Sequence, residues 1–338
     1  MKQMNQIQKM LFVSFLIGIC LAANAMANQT ITKTIALKQG WNAIYLTVKP
    51  ETPDPDILFD KTAVTQVLTF FPLRSPVQFI QDPDEVEWKK AGWHRWVTKN
   101  QYESALNNLY EMLPNQAYLI FSSEDQTLSV SGNPVLPSFD WRPDSFNFVG
   151  FHVDSLTPTT FAQFFASSEA HVDFHIYTLH NNHWKRIEKP EATNIVSGQA
   201  YWVYCVGGSQ YQGPISLTLP GSNNNLNFLS SISEVNFEIS NQSPDPVSFS
   251  LETFNNTEGS DFVPISLVTY SDLMIPQYTT LTSYSPNESI APGKKVTIRL
   301  AINRKALVNT EAFCLLKLTD DLGDVIYIPV RAEKLIEE

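Results

Sequence analysis

The chain has 338 residues, with 34 acidic against 23 basic side chains and a formal net charge of −11. That balance excludes a protein built around nucleic-acid phosphates or anionic lipid, which need a cationic face. With 43% hydrophobic residues the sequence folds, and its length exceeds what one core serves, so two or three domains are expected.

Lys2 and Lys9 precede a short apolar run over residues 10–23 (MLFVSFLIGICLAA), which leads to Ala25-Met26-Ala27. A charged start, an apolar run and an A-x-A site read as an export signal over residues 1–27, cleaved after Ala27. The run is shorter than the about 20 residues a membrane helix needs. Ile19 precedes Cys20 where a lipoprotein signal wants a small residue, so no lipid anchor is expected. No later segment is apolar enough to span a bilayer, and the expected destination is the periplasm or the medium. Losing Lys2 and Lys9 takes the formal charge from −11 to −13. Cys205 and Cys314 remain, each in an apolar strand-like run, and read as buried small hydrophobes. They are too few for a disulfide scaffold, and a bridge between them is left open.

An internal repeat organises the next two thirds. Gly40-Trp41-Asn42-Ala43-Ile44-Tyr45-Leu46 matches Ser145-Phe146-Asn147-Phe148-Val149-Gly150-Phe151. In both, asparagine heads an apolar stripe: Asn42, Ile44 and Leu46 in one, Asn147, Val149 and Phe151 in the other. Trp41, Ala43 and Tyr45, like Phe146 and Phe148, fall on a second, semi-apolar face. Asn42 and Asn147 read as strand-end anchors whose amides tie down loop backbone. Trp41 and Phe146 share a need for aromatic bulk. Each strand leads to a Pro/Thr/Asp loop and a short helix, opened by Asp54-Pro55 in one copy and Thr157-Pro158 in the other. Strands follow over residues 64–71 and 172–179, then tryptophan-bearing turns over 91–96 and 181–187. The shared Gln-Ala-Tyr tripeptide at 116–118 and 199–201 places Tyr118 and Tyr201 in equivalent strands. Repeat one alone carries Leu106, Leu109, Tyr110 and Leu113, whose spacing predicts an extra helix.

From about residue 222 the pattern changes to short alternating strands with polar turns, ending in the hairpin EAFCLLKLTDDLGDVIYIPV. That pattern predicts an antiparallel sandwich, and TDDLGD reads as turn chemistry. The expected fold is mainly β. It comprises two tandem β-rich repeats with short helices (28–138 and 139–221), then an immunoglobulin-like β-sandwich (222–338).

The Gly-Trp-Asn opening, followed by the paired AYLI and AYWV strands, resembles the Gly-Trp-Asn β-rich repeats of bacterial exported and surface proteins. The tail resembles the immunoglobulin-like modules that accompany them. The resemblance implies an architecture and no catalytic residues. Repeat two departs at its defining position, with Phe146 for tryptophan, and no lectin-like domain is expected among these residues.

Among candidate site residues, Trp88, Trp93 and Trp96 form an aromatic cluster; strand alternation favours core or edge packing for these rings, and the alternative is a platform that stacks on sugar rings, with Trp93 and Trp96 as its exposed pair. His152, His171, His175, His180 and His183 gather in repeat two, but their spacing matches no metal signature. Asp82, Asp84, Glu85 and Glu87, like Glu51, Asp54 and Asp56, lack the glycine of a calcium loop and read as solvated acids. No nucleophile motif or phosphate-cradling loop is present. The function expected is therefore a non-enzymatic structural or binding role, with a glycan or an envelope or surface protein as partner and no cofactor. The alternative is a polysaccharide hydrolase using carboxylates near Trp88–Trp96.

Overall fold

A computed structural model describes residues 29–71, 92–221, 224–256 and 259–335. The export signal over 1–27, Trp88, and the acids Asp82, Asp84, Glu85 and Glu87 lie outside the described residues.

The protein is mainly β. Strands β1 (Ile31–Leu37), β2 (Gly40–Leu46) and β3 (Val48–Pro50) lead to a single-turn helix α1 (Pro55–Leu58). Asp54 caps that turn by accepting from the Asp56 N–H, and Pro55 occupies the first helical position, where no N–H is needed. Strands β4 (Val64–Phe70), β5 (Trp93–Val97), β6 (Gln116–Ser122) and β7 (Gln126–Pro134) complete the first unit. They form a four-stranded sheet in the order β2-β6-β4-β5 and a three-stranded sheet in the order β1-β7-β3.

The second unit runs β8 (Ser145–Gly150), α2 (Phe161–Phe164), β9 (Ile176–His180), β10 (His183–Arg186) and β11 (Ala200–Cys205). Thr160 and Gln163 close a capping box on α2. The sheet order is β8-β11-β9-β10, so in each four-stranded sheet the first strand pairs the last and the second and third form a hairpin. Asn181 and Asn182, with φ of 49° and 64°, make the two-residue β9–β10 turn, the left-handed pair a tight hairpin requires. The tryptophan-bearing stretches expected as turns are thus strands, β5 and β10.

The helix expected over residues 106–113 is absent; a 3₁₀ turn at Tyr102–Leu106 gives way to extended chain. The Asn107 amide pairs with both the N–H and the carbonyl of Val97 at 2.9 Å, and Asn108 Oδ1 accepts from the Arg95 N–H at 2.6 Å. Side-chain amides that satisfy neighbouring backbone compete directly with helix. Leu109 turns into the core, whereas Tyr110 faces solvent.

The third unit is a β-sandwich of two five-stranded sheets. One has the order β12 (Ile215–Thr218), β14 (Glu234–Asn241), β19 (Lys295–Ile302), β16 (Ile265–Tyr270), β17 (Pro276–Thr280). The other runs β13 (Leu226–Phe228), β21 (Val325–Glu333), β20 (Glu311–Asp320), β15 (Phe249–Phe254), β18 (Ser283–Tyr284). Pairing is antiparallel except between β13 and β21. β12 precedes the composition change at residue 222, yet it hydrogen-bonds to β14.

Strand alternation sends successive side chains to opposite faces, and here both faces of the four-stranded sheets are covered. Ile44, Leu46, Tyr118 and Ile120 face the first unit's own core. Phe151, Tyr201 and Val203 face the core around α2. The opposite faces, carrying Trp41, Ala43 and Tyr45 on one sheet and Phe148 and Trp202 on the other, meet in one aromatic layer. The face expected to be looser is therefore the contact between units. Gly150 permits that approach: a Cβ there would lie 2.3 Å from the Tyr45 Cβ. The layer is sealed at its edge by the Tyr45 N–H donating to the Gly198 carbonyl at 2.9 Å.

Candidate functional site

The two units repeat three polar devices. Asn42 Oδ1 accepts from the Lys38 N–H at 2.8 Å, while its Nδ2 donates to the Lys38 and Gly40 carbonyls and, at 3.5 Å, to Ile120 across the sheet. Asn147 Oδ1 accepts from the Arg142 N–H at 2.8 Å, while its Nδ2 donates to Arg142, Ser145 and, at 3.5 Å, Val203. Each asparagine thus fastens the loop before its strand and the strand beside it. The Tyr118 hydroxyl accepts from the N–H five residues upstream, at Leu113, and the Tyr201 hydroxyl does the same with Val196. Burial pushes both phenols above the ordinary tyrosine range. Gln116 and Gln199, two residues before these tyrosines, donate to the hydroxyls of Thr69 at 2.7 Å and Thr178 at 2.9 Å. Replacing Asn147 by alanine leaves buried loop carbonyls and the Arg142 N–H without this amide. We expect a loss of about 1–3 kcal/mol in urea-induced unfolding. An unchanged midpoint would reject the anchoring role.

Trp93 and Trp96 are each only 4% exposed, which agrees with core packing and rules out the alternative of an exposed stacking pair. They lie on β5, which is covered on both sides. Trp93 joins the aromatic layer between the units, with Phe70 at 5.2 Å and Trp202 at 6.5 Å. Trp96 turns to the other face, packs on Phe59, and donates its indole N–H to Asp56 Oδ1 at 2.9 Å. That bond, helped by Lys99, holds the Asp56 carboxyl below the usual carboxylate range. Neither ring presents a face to a sugar.

The histidines scatter. His171 is buried, with Nδ1 2.6 Å from the Ser168 hydroxyl, and His175, His180 and His183 are exposed. His152 is buried with Nε2 2.7 Å from Asn115 Oδ1, and burial pushes its imidazole down to about 3, so the ring is neutral. Among the described residues no three His, Cys, Asp or Glu side chains converge as a metal cluster would. Cys205 and Cys314 are both buried and both free.

Two concave surfaces meet along β1. A groove of about 690 Å³ runs between β1, β2 and the β9–β10 turn. It is lined by the Gly-Trp-Asn stretch together with amides and hydroxyls, among them Gln39, Asn42, Asn182, Ser197 and Gln199. Asn182 Oδ1 accepts from the Trp41 N–H at 2.8 Å and so fixes the hairpin against the opening strand. A pocket of about 320 Å³ lies on the far side of the Ile35–Gly198 contact, where all three units meet. Its walls carry Lys33, Asp154, Lys317 and Tyr327.

The same three-way junction holds a buried acid pair that turn chemistry did not anticipate. Asp320 Oδ1 accepts from the N–H groups of Leu322 at 3.0 Å and Asp324 at 2.8 Å. Asp320 Oδ2 and Asp324 Oδ1 are buried without a hydrogen-bond partner. Burial pushes the Asp320 carboxyl up to about 7 and Asp324 well above its ordinary value, Asp320's charge adding to the latter shift. The hairpin is pinned to the second unit by Asp154 N–H donating to the Gly323 carbonyl at 2.7 Å and Val325 N–H to His152 at 2.8 Å. Gly323, with φ of 86°, allows this, since a Cβ would meet the Thr157 carbonyl at 1.9 Å. The alternation Leu316, Leu318, Asp320 on β20 and Asp324, Ile326, Ile328 into and along β21 was the available signal, because both acids continue an inward stripe.

No protein family and no curated protein matches the chain. Several solved structures show partial likeness. An ASH/PapD-like domain of human CEP192 is 8% identical, covering 37% of this chain and 87% of that one, with a TM-score of 0.24. The YadV chaperone is 14% identical over 36% of this chain and 52% of that one, again at 0.24. A FixG-related protein from Vibrio parahaemolyticus is 14% identical over 36% and 98%, at 0.21. Scores of this size carry no argument about what the chain does.

Proposed function

We propose that the protein is a non-enzymatic, exported structural or binding protein of the cell envelope or surface, built on two Gly-Trp-Asn-type repeats. Export follows from the leader-like residues 1–27, and is checked by the N-terminus of the protein recovered outside the cytoplasm, expected at Asn28. The repeat reading is supported by the shared strand order and by the paired asparagine, tyrosine and glutamine devices.

The observation that carries the binding role is the division of labour among side chains. The tryptophans Trp93 and Trp202 are spent on packing the units together, and the groove along β1, whose walls carry Gln39, His180, Asn181 and Ser197 beside apolar side chains, is a concave surface left open to a ligand. Amides and hydroxyls at fixed positions suit the hydroxyls of a glycan, since each donates and accepts. A glycan array probed with residues 28–338 is expected to show binding that falls at least about tenfold (1.4 kcal/mol) when Gln39 and His180 are both changed to alanine. Binding undiminished by that pair rejects the groove. Release of reducing sugar from a bound polysaccharide would establish the hydrolase in its place.

A further inference from the structure

Lys33 is the physically odd residue of the three-way junction. It sits on β1, half-buried, with its ammonium over the Tyr327 ring at 5.5 Å from the centroid. Among the described residues no carboxylate comes within 4.0 Å of it, the reach of an ion pair. Burial pushes the ammonium below the ordinary lysine range, with Asp154 opposing the shift and Lys317 adding to it. Lys317, on the same wall, is held by Glu252 at 3.3 Å from outside the pocket. A buried charge without a counter-ion costs stability, and groups of that kind gather where a ligand supplies the missing charge.

We propose that this pocket receives one acidic sugar residue, its carboxylate facing Lys33 and Lys317 and its hydroxyls facing Asp154, Ser155, Ser197 and Thr34. Size favours a ring over an inorganic ion. The 320 Å³ cavity is at the small end of ligand pockets, roughly 300–1,000 Å³, and holds about ten times the roughly 30 Å³ share of one water. Chemistry favours a sugar over a simple fatty or aromatic acid. Asp154 is half-buried on the wall, accepting only from the Leu156 N–H at 3.0 Å among its hydrogen bonds, and its carboxylate accepts from ligand hydroxyls. The pocket also continues the groove past Ile35 and Gly198, so a chain lying along β1 would place a single residue here. The assignment rests on the glycan reading of that groove.

Titration calorimetry and thermal unfolding with glucuronate as probe test it, with glucose and inorganic phosphate as controls. Glucuronate is expected to bind and raise the unfolding midpoint, while neither control does so at equal concentration. Lys33→Met loses at least about tenfold in affinity and yet melts higher than wild type without ligand, because it removes a half-buried charge that no carboxylate pairs at ion-pair distance. Lys33→Arg keeps the affinity within a few-fold, and Lys317→Met, on the wall but ion-paired, weakens it less than Lys33→Met. Glucuronate binding equal in Lys33→Met and wild type overturns the proposal, as does phosphate binding as tightly as glucuronate. Neutral glycans bound by the groove without glucuronate binding reject the pocket alone. Failure of both rejects the glycan reading.

Discussion

Changing Trp202 to alanine lowers the unfolding free energy by about 3–5 kcal/mol, and lowers the denaturant midpoint in proportion. Trp202 is fully buried on β11 and stacks on Phe148 with centroids 4.8 Å apart. Trp93 of the first unit and Trp184 of the second meet it edge-on at 6.5 Å and 6.3 Å. The truncation therefore removes a ring that both units share, and the facing sheets, held by hydrogen bonds along their strands, collapse only partly into the void. Tyr204, two residues on and half-buried against Phe146, is expected to cost clearly less when changed to alanine. Fluorescence-monitored urea unfolding of both variants decides the matter. Equal losses for Trp202 and Tyr204 would reject the aromatic layer as the joint between the units.

The acid pair at Asp320 and Asp324 makes stability fall with rising pH. A carboxyl raised on folding favours the protonated form in the native state, so its favourable contribution is complete below the unfolded value near 4. It is lost progressively as pH climbs toward the folded value, about 7 for Asp320. The two carboxyls share one buried site, so ionising one opposes ionising the other, and Tyr211, whose phenol is pushed upward by burial and then by both acids, gives no cationic relief. Asp324→Asn replaces the protonated acid with a neutral group of the same shape. It is expected to match wild type at pH 4, to gain roughly 1–4 kcal/mol at pH 8, and to flatten the slope between. Urea midpoints at the two pH values measure this; parallel slopes for variant and wild type would sink it. Salt bridges such as Lys38–Asp125 at 2.8 Å, exposed on both sides, do not mask the trend, since pairs of that kind contribute little.

Periodicity made much of the architecture legible. The alternation in Gly40–Leu46 and Ser145–Gly150 marked opening strands, and the offset from Asn42 to Phe59 and from Asn147 to Phe164 placed both helical turns. Asn42 and Asn147 stood out because an amide heads an apolar stripe twice, and local backbone bonds of that sort are written in short range. What stayed hidden depends on partners far along the chain. Trp93 and Trp96 lie beside Lys89, Lys90 and Arg95, which keeps a surface reading open next to core packing. Their burial follows from a sheet of another unit and from Phe59 and Asp56, none of it visible in local spacing. Leu106 to Leu113 carried helical spacing, but Asn107 and Asn108 satisfied the neighbouring strand and kept the chain extended. Lys33 precedes the matched stretches of the repeat and belongs to no motif, and only the meeting of three units encloses it.

The pairing of β12 with β14 has a consequence for how the chain can be divided. A cut at residue 221 severs a strand from the sheet it completes and bares the edge of β14, with Glu238, Ile239 and Ser240 losing their neighbours. Bared edges recruit other chains, so a C-terminal fragment starting there is expected to self-associate more than one starting before Gly213, as size-exclusion chromatography would show. The change in composition marks where the rhythm of the sequence shifts, and the first strand of the C-terminal sandwich lies upstream of it.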